Sequence, residues 1–182
     1  LIAVSSDKES RPHILIDTRH AYVGLGSNLG DRAGNLLLAA RGMMDAGLVV
    51  ARLSSVYETE PVEVTDAQPP YLNMVAQVSL EGSPPAPEQM LARLLRVEHA
   101  LGRRRAGLHA ARAIDLDLLL YADARRDTDS LKLPHPRLHA RRFVLAPLAE
   151  LSPDAEHPAL RRTFRELLDA APDRAGVRLW QP

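Results

Sequence analysis

Ile114-Asp115-Leu116-Asp117-Leu118-Leu119-Leu120-Tyr121 is the stretch from which the fold is read. Side chains alternate along a strand, so Asp115 and Asp117 project together from one face and Leu116 from the other. The apolar run that follows marks a buried strand over 114–121, with Leu116 in the core. Upstream lies a basic loop, 103–112, that holds Arg103, Arg104, Arg105 and Arg112. Before the loop, Met90, Leu91, Leu94, Leu95, Val97 and Leu101 recur at helical spacing, opened by Pro87 or Glu88 and closed by Gly102. Residues 71–80 alternate as a strand, with Leu72, Met74, Ala76 and Val78 on one face. Residues 49–57 make another strand, and 58–70 a polar loop with Pro61, Pro69 and Pro70. A helix is expected over 32–46, with Leu36, Leu37, Ala40 and Met43 or Met44 on one face and Gly47 as its stop. It follows a buried strand, Ala21-Tyr22-Val23-Gly24-Leu25-Gly26, and the turn and cap residues Ser27-Asn28-Leu29-Gly30-Asp31. Beyond the aspartates, 122–133 is expected to be a polar connection with a short hairpin. Helices are expected over 141–151 and 160–171.

The order strand, helix, strand, strand, helix, strand implies an α+β domain. A ferredoxin-like layered arrangement is expected, with a mostly antiparallel sheet and helices packed on it. Residues 1–20 differ in character. Ser5 to Pro12 is polar, Ile14 to Ile16 could form a short strand or docking arm, and the segment is read as a leader or linker, possibly flexible. Residues 21–182 are then a single domain.

Apolar residues make up 46% of the chain, enough for a substantial core. The formal net charge is zero, so no global field draws in nucleic acid. No run approaches the roughly 20 apolar residues of a membrane helix. Absence of cysteine excludes disulfides and thiolate metal sites, and a cytoplasmic location is expected.

Two carboxylates side by side repel unless something positive lies between them. Magnesium takes oxygen ligands and keeps waters and substrate phosphates in its shell. The pair at Asp115 and Asp117 is therefore a candidate for two Mg2+ ions clamping a phosphate chain. By itself Asp-x-Asp also describes an ordinary solvated strand edge. The arginines before it suit bidentate phosphate contacts. An RNA-binding loop is the other reading, but no aromatic residue is interleaved there for base stacking.

Several runs occur in order: Gly26-Ser27-Asn28-Leu29-Gly30-Asp31, Ser54-Ser55-Val56-Tyr57-Glu58-Thr59-Glu60-Pro61, Tyr71-Leu72-Asn73, Arg112 through Asp117, and Pro134-His135-Pro136 with Arg141 and Phe143. Together, over residues 21–170, they resemble 6-hydroxymethyl-7,8-dihydropterin pyrophosphokinase of folate biosynthesis. The resemblance implies transfer of a diphosphate group from ATP to the hydroxymethyl of the pterin, with release of AMP, by a monomer. It implies that Tyr71 and Phe143 sandwich the pterin ring, that Asn73 reads its edge, and that backbone groups near Thr59 and Val62 add hydrogen bonds. Glu98, Arg103, Arg112, His135 and Arg141 match ATP-contacting positions. Asp115, Asp117, Arg103 and Arg112 would carry catalysis, and the aspartates the metal. Fusion to, or excision from, another folate enzyme is compatible with the odd leader. The run Leu108-His109-Ala110-Ala111-Arg112-Ala113 departs from the family, which often has an aromatic and a further basic residue there. Ser130 stands where an arginine is common.

Overall fold

A computed structural model describes residues 18–61, 68–102, 111–172 and 176–181. In chain order its elements are β1 (His20–Ser27), α1 (Arg32–Asp45), β2 (Val49–Leu53), β3 (Tyr57–Thr59), β4 (Tyr71–Ser79), α2 (Pro87–Ala100), β5 (Asp115–Tyr121), β6 (Arg126–Asp127), β7 (Lys132–Leu133), a short helical turn (Leu138–Ala140), α3 (Arg142–Leu151), α4 (Phe164–Ala170) and β8 (Val177–Leu179). The main sheet runs β5-β1-β4-β3-β8, and β2 also pairs with β4. Every pairing is antiparallel. Counting β2 and β3 as two halves of one strand beside β4, this is the split βαβ arrangement of a ferredoxin-like fold. β6 and β7 form the small hairpin expected between 122 and 133.

The sheet has helices on both sides. Leu25, Leu72, Met74, Leu116 and Leu118 face α1 and α2, and join Leu36, Met43, Met90 and Leu94 in one core. Tyr22, Val75, Leu119 and Leu120 face α3 and α4, and join Leu145, Leu148, Phe164 and Leu167 in the other. A β-bulge on β5, where Leu119 is the extra residue opposite the Tyr22–Val23 step of β1, lets Leu119 and Leu120 enter the same core. α1 and α2 approach closely because Gly42 has no Cβ: one placed there would lie 2.8 Å from Val97 Cγ1.

Some local expectations shift. In α1 the buried face is Leu36, Ala39, Ala40 and Met43, whereas Leu37 and Met44 are exposed. They sit one residue past that stripe, about 100° around the helix. The strand expected over 49–57 is broken at 54–56. There Ser54 N–H donates to the Val75 carbonyl and Ser54 Oγ accepts from Val75 N–H, each at 2.9 Å. Pairing resumes at Tyr57 and takes Glu58 and Thr59 out of the expected loop. The helix expected from 160 starts only at Phe164. Arg161 takes a left-handed φ of 54° in a turn closed by His157 N–H to the Arg162 carbonyl. Thr163 then caps α4, its Oγ1 accepting from Glu166 N–H while Glu166 Oε2 accepts from Thr163 N–H. The tail, unassigned in sequence, supplies β8. In α2, Leu95 is 40% exposed and Glu98 is buried, the reverse of what side-chain polarity alone suggests. The segment Ile14 to Ile16 lies outside the described residues.

Candidate active site

The sheet face under α3 and α4 is apolar where the helices cover it, apart from Gln77 bonded to the Tyr22 hydroxyl, and polar beyond them. Strand register explains why. Asp115 lies opposite Gly26, Gly26 opposite Asn73, and Asn73 opposite Tyr57. Residues directly opposite share a face, so these four form one row across four strands. One step along, Asp117 lies opposite Gly24 and Gly24 opposite Val75. Leu119 packs over Gly24, 3.4 Å from where a Cβ would stand, so it is Gly26 that leaves a trough between the carboxylates and Asn73. A Cβ on Gly26 would sit 3.0 Å from Asn73 Oδ1, so any larger residue pushes on that amide.

Asp115 is paired: Arg112 Nη1 donates to its Oδ2 at 2.9 Å. Arg112 also bonds to Tyr71, at the start of β4. Burial pushes the Tyr71 phenol up and the nearby Asp115 charge adds to this, while Arg112 opposes both. Asn73 Nδ2 donates to Thr59 Oγ1 at 2.7 Å, which fixes the amide plane within a buried pair. His135 follows the cis Leu133–Pro134 bond and docks on the outer edge of β5, its N–H donating to the Leu119 carbonyl at 2.9 Å. Its imidazole is pushed down to about 4, first by burial, then by the Arg141 and Arg137 charges, with Asp115 pulling the other way. The ring is therefore neutral near pH 7. Its Nδ1 accepts from Arg137 N–H, which assigns the proton to Nε2 and makes that atom a donor. The Arg141 guanidinium stands over the Phe143 ring, 5.4 Å from its centroid.

The structure thus gathers Asp115, Arg112 and Tyr71, with His135, Arg141 and Phe143 on the neighbouring side and Asn73 with Thr59 across the glycine trough. Asp117 shares the face of Asp115, as strand alternation requires. Glu98 is placed differently from a ligand contact in solvent. It is 2% exposed, and its Oε1 accepts from Leu116 N–H at 2.7 Å. β5 is an edge strand, so its outward N–H groups need partners, and Glu98 satisfies the one between the two aspartates. Val62 and Arg103 lie outside the described residues. Ser130 sits in the β6–β7 turn, its Oγ 3.4 Å from Thr128 Oγ1.

Several contributors escaped the sequence reading. Asn28 is buried, its N–H donating to the Arg112 carbonyl while its Oδ1 accepts from Arg112 N–H. Its Nδ2 also donates to Gln68 Oε1, so one side chain ties the β1–α1 turn to both neighbouring loops. Arg32 Nη1 donates to Glu58 Oε1 and to the Pro70 carbonyl, and Arg178 on β8 grips Glu58 Oε2. Glu150 on α3 binds Ser55 and Tyr57. The sequence gives no signal for the last two, since their partners are 93 to 120 residues away.

Two carboxylates and a trough lined by glycine suit hard cations that bring their own waters and phosphates. Among the described residues there is no group of three His, Asp or Glu able to enclose a metal by itself. A metal here would be shared with a ligand.

Residues 22–153 match the family described as 7,8-dihydro-6-hydroxymethylpterin-pyrophosphokinase. The chain is 38% identical over 162 residues to the 2-amino-4-hydroxy-6-hydroxymethyldihydropteridine pyrophosphokinase of Bacillus subtilis, covering 88% of this chain and 90% of that one. It is 41% identical over 151 residues to the mitochondrial folate synthesis bifunctional protein of Arabidopsis thaliana, covering 82% of this chain but 26% of the plant protein. Wild-type HPPK-DHPS of Plasmodium falciparum has the same fold, with a TM-score of 0.62 at 16% identity over 84% of this chain and 43% of that one. By the span of residues 22–153 and by its likeness to the Bacillus protein, the chain belongs to the 7,8-dihydro-6-hydroxymethylpterin-pyrophosphokinase family.

Proposed function

We propose that Asp115 and Asp117 hold two Mg2+ ions over the glycine trough and that ATP and the hydroxymethyl pterin meet there. The activity follows from the family: the chain is a pyrophosphokinase acting in folate biosynthesis, with ATP as co-substrate. The observation that carries the site reading is the row Asp115, Gly26, Asn73, Tyr57, which sets a carboxylate and a fixed amide on either side of a strand position that carries no side chain.

In this reading the pterin hydroxyl oxygen attacks the β-phosphorus of ATP, the bond to the α-phosphate oxygen breaks, AMP leaves, and the hydroxyl proton passes to water. Bound magnesium would neutralise the phosphate oxygens and hold the chain in line. Arg112, already beside Asp115, would turn to phosphate oxygens, and Arg103 would join it. His135, neutral with Nε2–H available, would donate to a phosphate oxygen, and Arg141 would add charge. Tyr71 and Phe143 would sandwich the pterin, with Arg141 covering the other face of the Phe143 ring. Asn73 would read the pterin edge, supported by Thr59 and by backbone near Val62. Glu98 would serve ATP indirectly, by setting the main chain between the aspartates. No side chain in the set is an obvious strong base, so positioning and charge neutralisation are assigned most of the work.

We also read the chain as a monomer in the cytoplasm, with 21–182 as one domain. The lack of cysteine fits a reducing compartment, and among the described residues no helix is long and apolar enough to cross a membrane.

The test is a nucleotide product assay. AMP should form only with Mg2+, ATP and hydroxymethyl dihydropterin together. ADP as the product would rule out diphosphate transfer, and full activity in Asp115→Ala or Asp117→Ala would remove the metal assignment.

A further inference from the structure

α3 carries Phe143 in its first turn and Glu150 in its last. They are seven residues apart, about two helical turns, so both side chains leave the same face of the helix, about 10 Å apart along its axis. That face meets the break between β2 and β3. Glu150 Oε1 accepts from Ser55 N–H and from Ser55 Oγ, each at 3.0 Å. Its Oε2 accepts from Ser55 N–H at 3.1 Å and from the Tyr57 hydroxyl at 2.9 Å. Ser55 sits in the gap between β2 and β3, where regular pairing with β4 is interrupted. Tyr57 lies opposite Asn73, in the row that also holds Gly26 and Asp115.

We infer that Glu150 is a positioning residue for the pterin site, fixing the roll of α3 and hence where Phe143 stands relative to Asn73 and Tyr71. This rests on the reading of Phe143 and Tyr71 as the pterin walls. Among the described residues Glu150 bonds to none assigned to ATP or metal; Arg141, which caps α3 and stacks on Phe143, is the ATP residue nearest this roll, so the larger effect falls on the pterin side. The roll of α3 also depends on such outside grips because Pro147 has no N–H to give the Phe143 carbonyl one turn back. A second consequence is spectroscopic. Burial, then the hydrogen bond and charge of Glu150, push the Tyr57 phenol up to about 12 from an ordinary value of 10.0.

The experiment compares the whole chain with Glu150→Ala, Glu150→Gln and Phe143→Ala, reading KM for each substrate, kcat and the ultraviolet phenol titration. Glu150→Ala should raise KM for the pterin about tenfold while KM for ATP stays within about twofold, as expected for loss of a charge-assisted grip. Glu150→Gln keeps an amide oxygen for Ser55 N–H and should recover most of that loss. In both variants one phenol should move down from about 12 toward 10.0. The inference is overturned if the phenol does not move, since the grip is then absent in solution. It is equally overturned if the phenol moves but pterin KM is unchanged, or if both KM values rise in parallel. Should the alanine variant fail to fold, the glutamine variant decides by the same readings. Unchanged pterin KM in Phe143→Ala would sink the underlying pterin-wall reading. A rise there, with none in the Glu150 variants, would sink only the role of Glu150.

Discussion

The proposed metal side and the proposed pterin side of the site are built in opposite ways. On the metal side, Asp115 and Asp117 are two residues apart on one strand, and the alternation of that strand aims both. Backbone partners hold them: Glu98 on Leu116 N–H and His135 N–H on the Leu119 carbonyl. On the pterin side, Thr59, Asn73, Tyr71 and Phe143 come from β3, β4 and α3, and side-chain clamps hold these elements together. A site written in consecutive residues resists change at a distance. One assembled by clamps can be tuned from outside, through Glu150, Glu58 or Arg178.

The sharpest break of this contrast is at the metal side. Asp117→Ala should lower kcat by about a thousandfold, because metal-borne charge stabilisation is worth several kcal/mol. Circular dichroism and thermal melting should show a fold left intact. Next comes Asn73→Ala, which leaves Thr59 Oγ1 without its donor and removes the pterin edge contact. Pterin KM should rise by roughly ten- to a hundredfold, from about 1–3 kcal/mol of lost hydrogen bonding, with ATP affinity unchanged by calorimetry. Equal loss of ATP affinity would mean that the two sides are one unit.

Glu98→Ala should act on the metal side only. It strands a buried N–H and should lower unfolding free energy by about 1–3 kcal/mol in denaturant titrations, with weaker Mn2+ binding by electron paramagnetic resonance.

Acid sensitivity should come from two histidines. His135 and His157 are each held near 4 in the folded chain against 6.5 when unfolded. Because their folded values are depressed, the stability is present above about pH 6.5 and is lost as pH falls toward 4. His135→Gln should flatten that acid limb in melting temperature against pH. The smallest effect is expected for Arg178→Ala. Its grip on Glu58 is largely exposed, so pterin KM should change by no more than about twofold and the change should vanish in high salt.

Much of the fold was legible because its signals are local. The period of α2, the alternation of β4 and the Asp-x-Asp strand each lie within a dozen residues. The order of elements then left few antiparallel arrangements. Errors fell where tertiary contacts override local pattern. Leu37 looks as apolar as Leu36, but only one of them meets the sheet. Glu98 looks like a surface residue until β5 is seen to be an edge strand needing an acceptor. The β2–β3 break depends on the Ser54 hydroxyl finding Val75, which no periodicity encodes. Within the site, Asp115, Arg112, Asn73, Tyr71, His135 and Phe143 were named from motifs, and the structure gathers them. Asn28 reads in sequence as turn chemistry within a motif run, with no role of its own, and its bonds to Arg112 cross 84 positions of chain. Glu150 had no signal, because a glutamate late in an amphipathic helix is ordinary.

The position of β5 at the end of the sheet has a further consequence. An edge strand offers unpaired backbone groups to any passing strand, and a leucine-rich one is a seed for self-association. Here the outward Leu116 N–H is taken by Glu98 and the Leu119 carbonyl by His135 N–H. The groups that set the metal strand in place thereby also cover its open edge, and losing either would expose a template for aggregation as well as a weakened site.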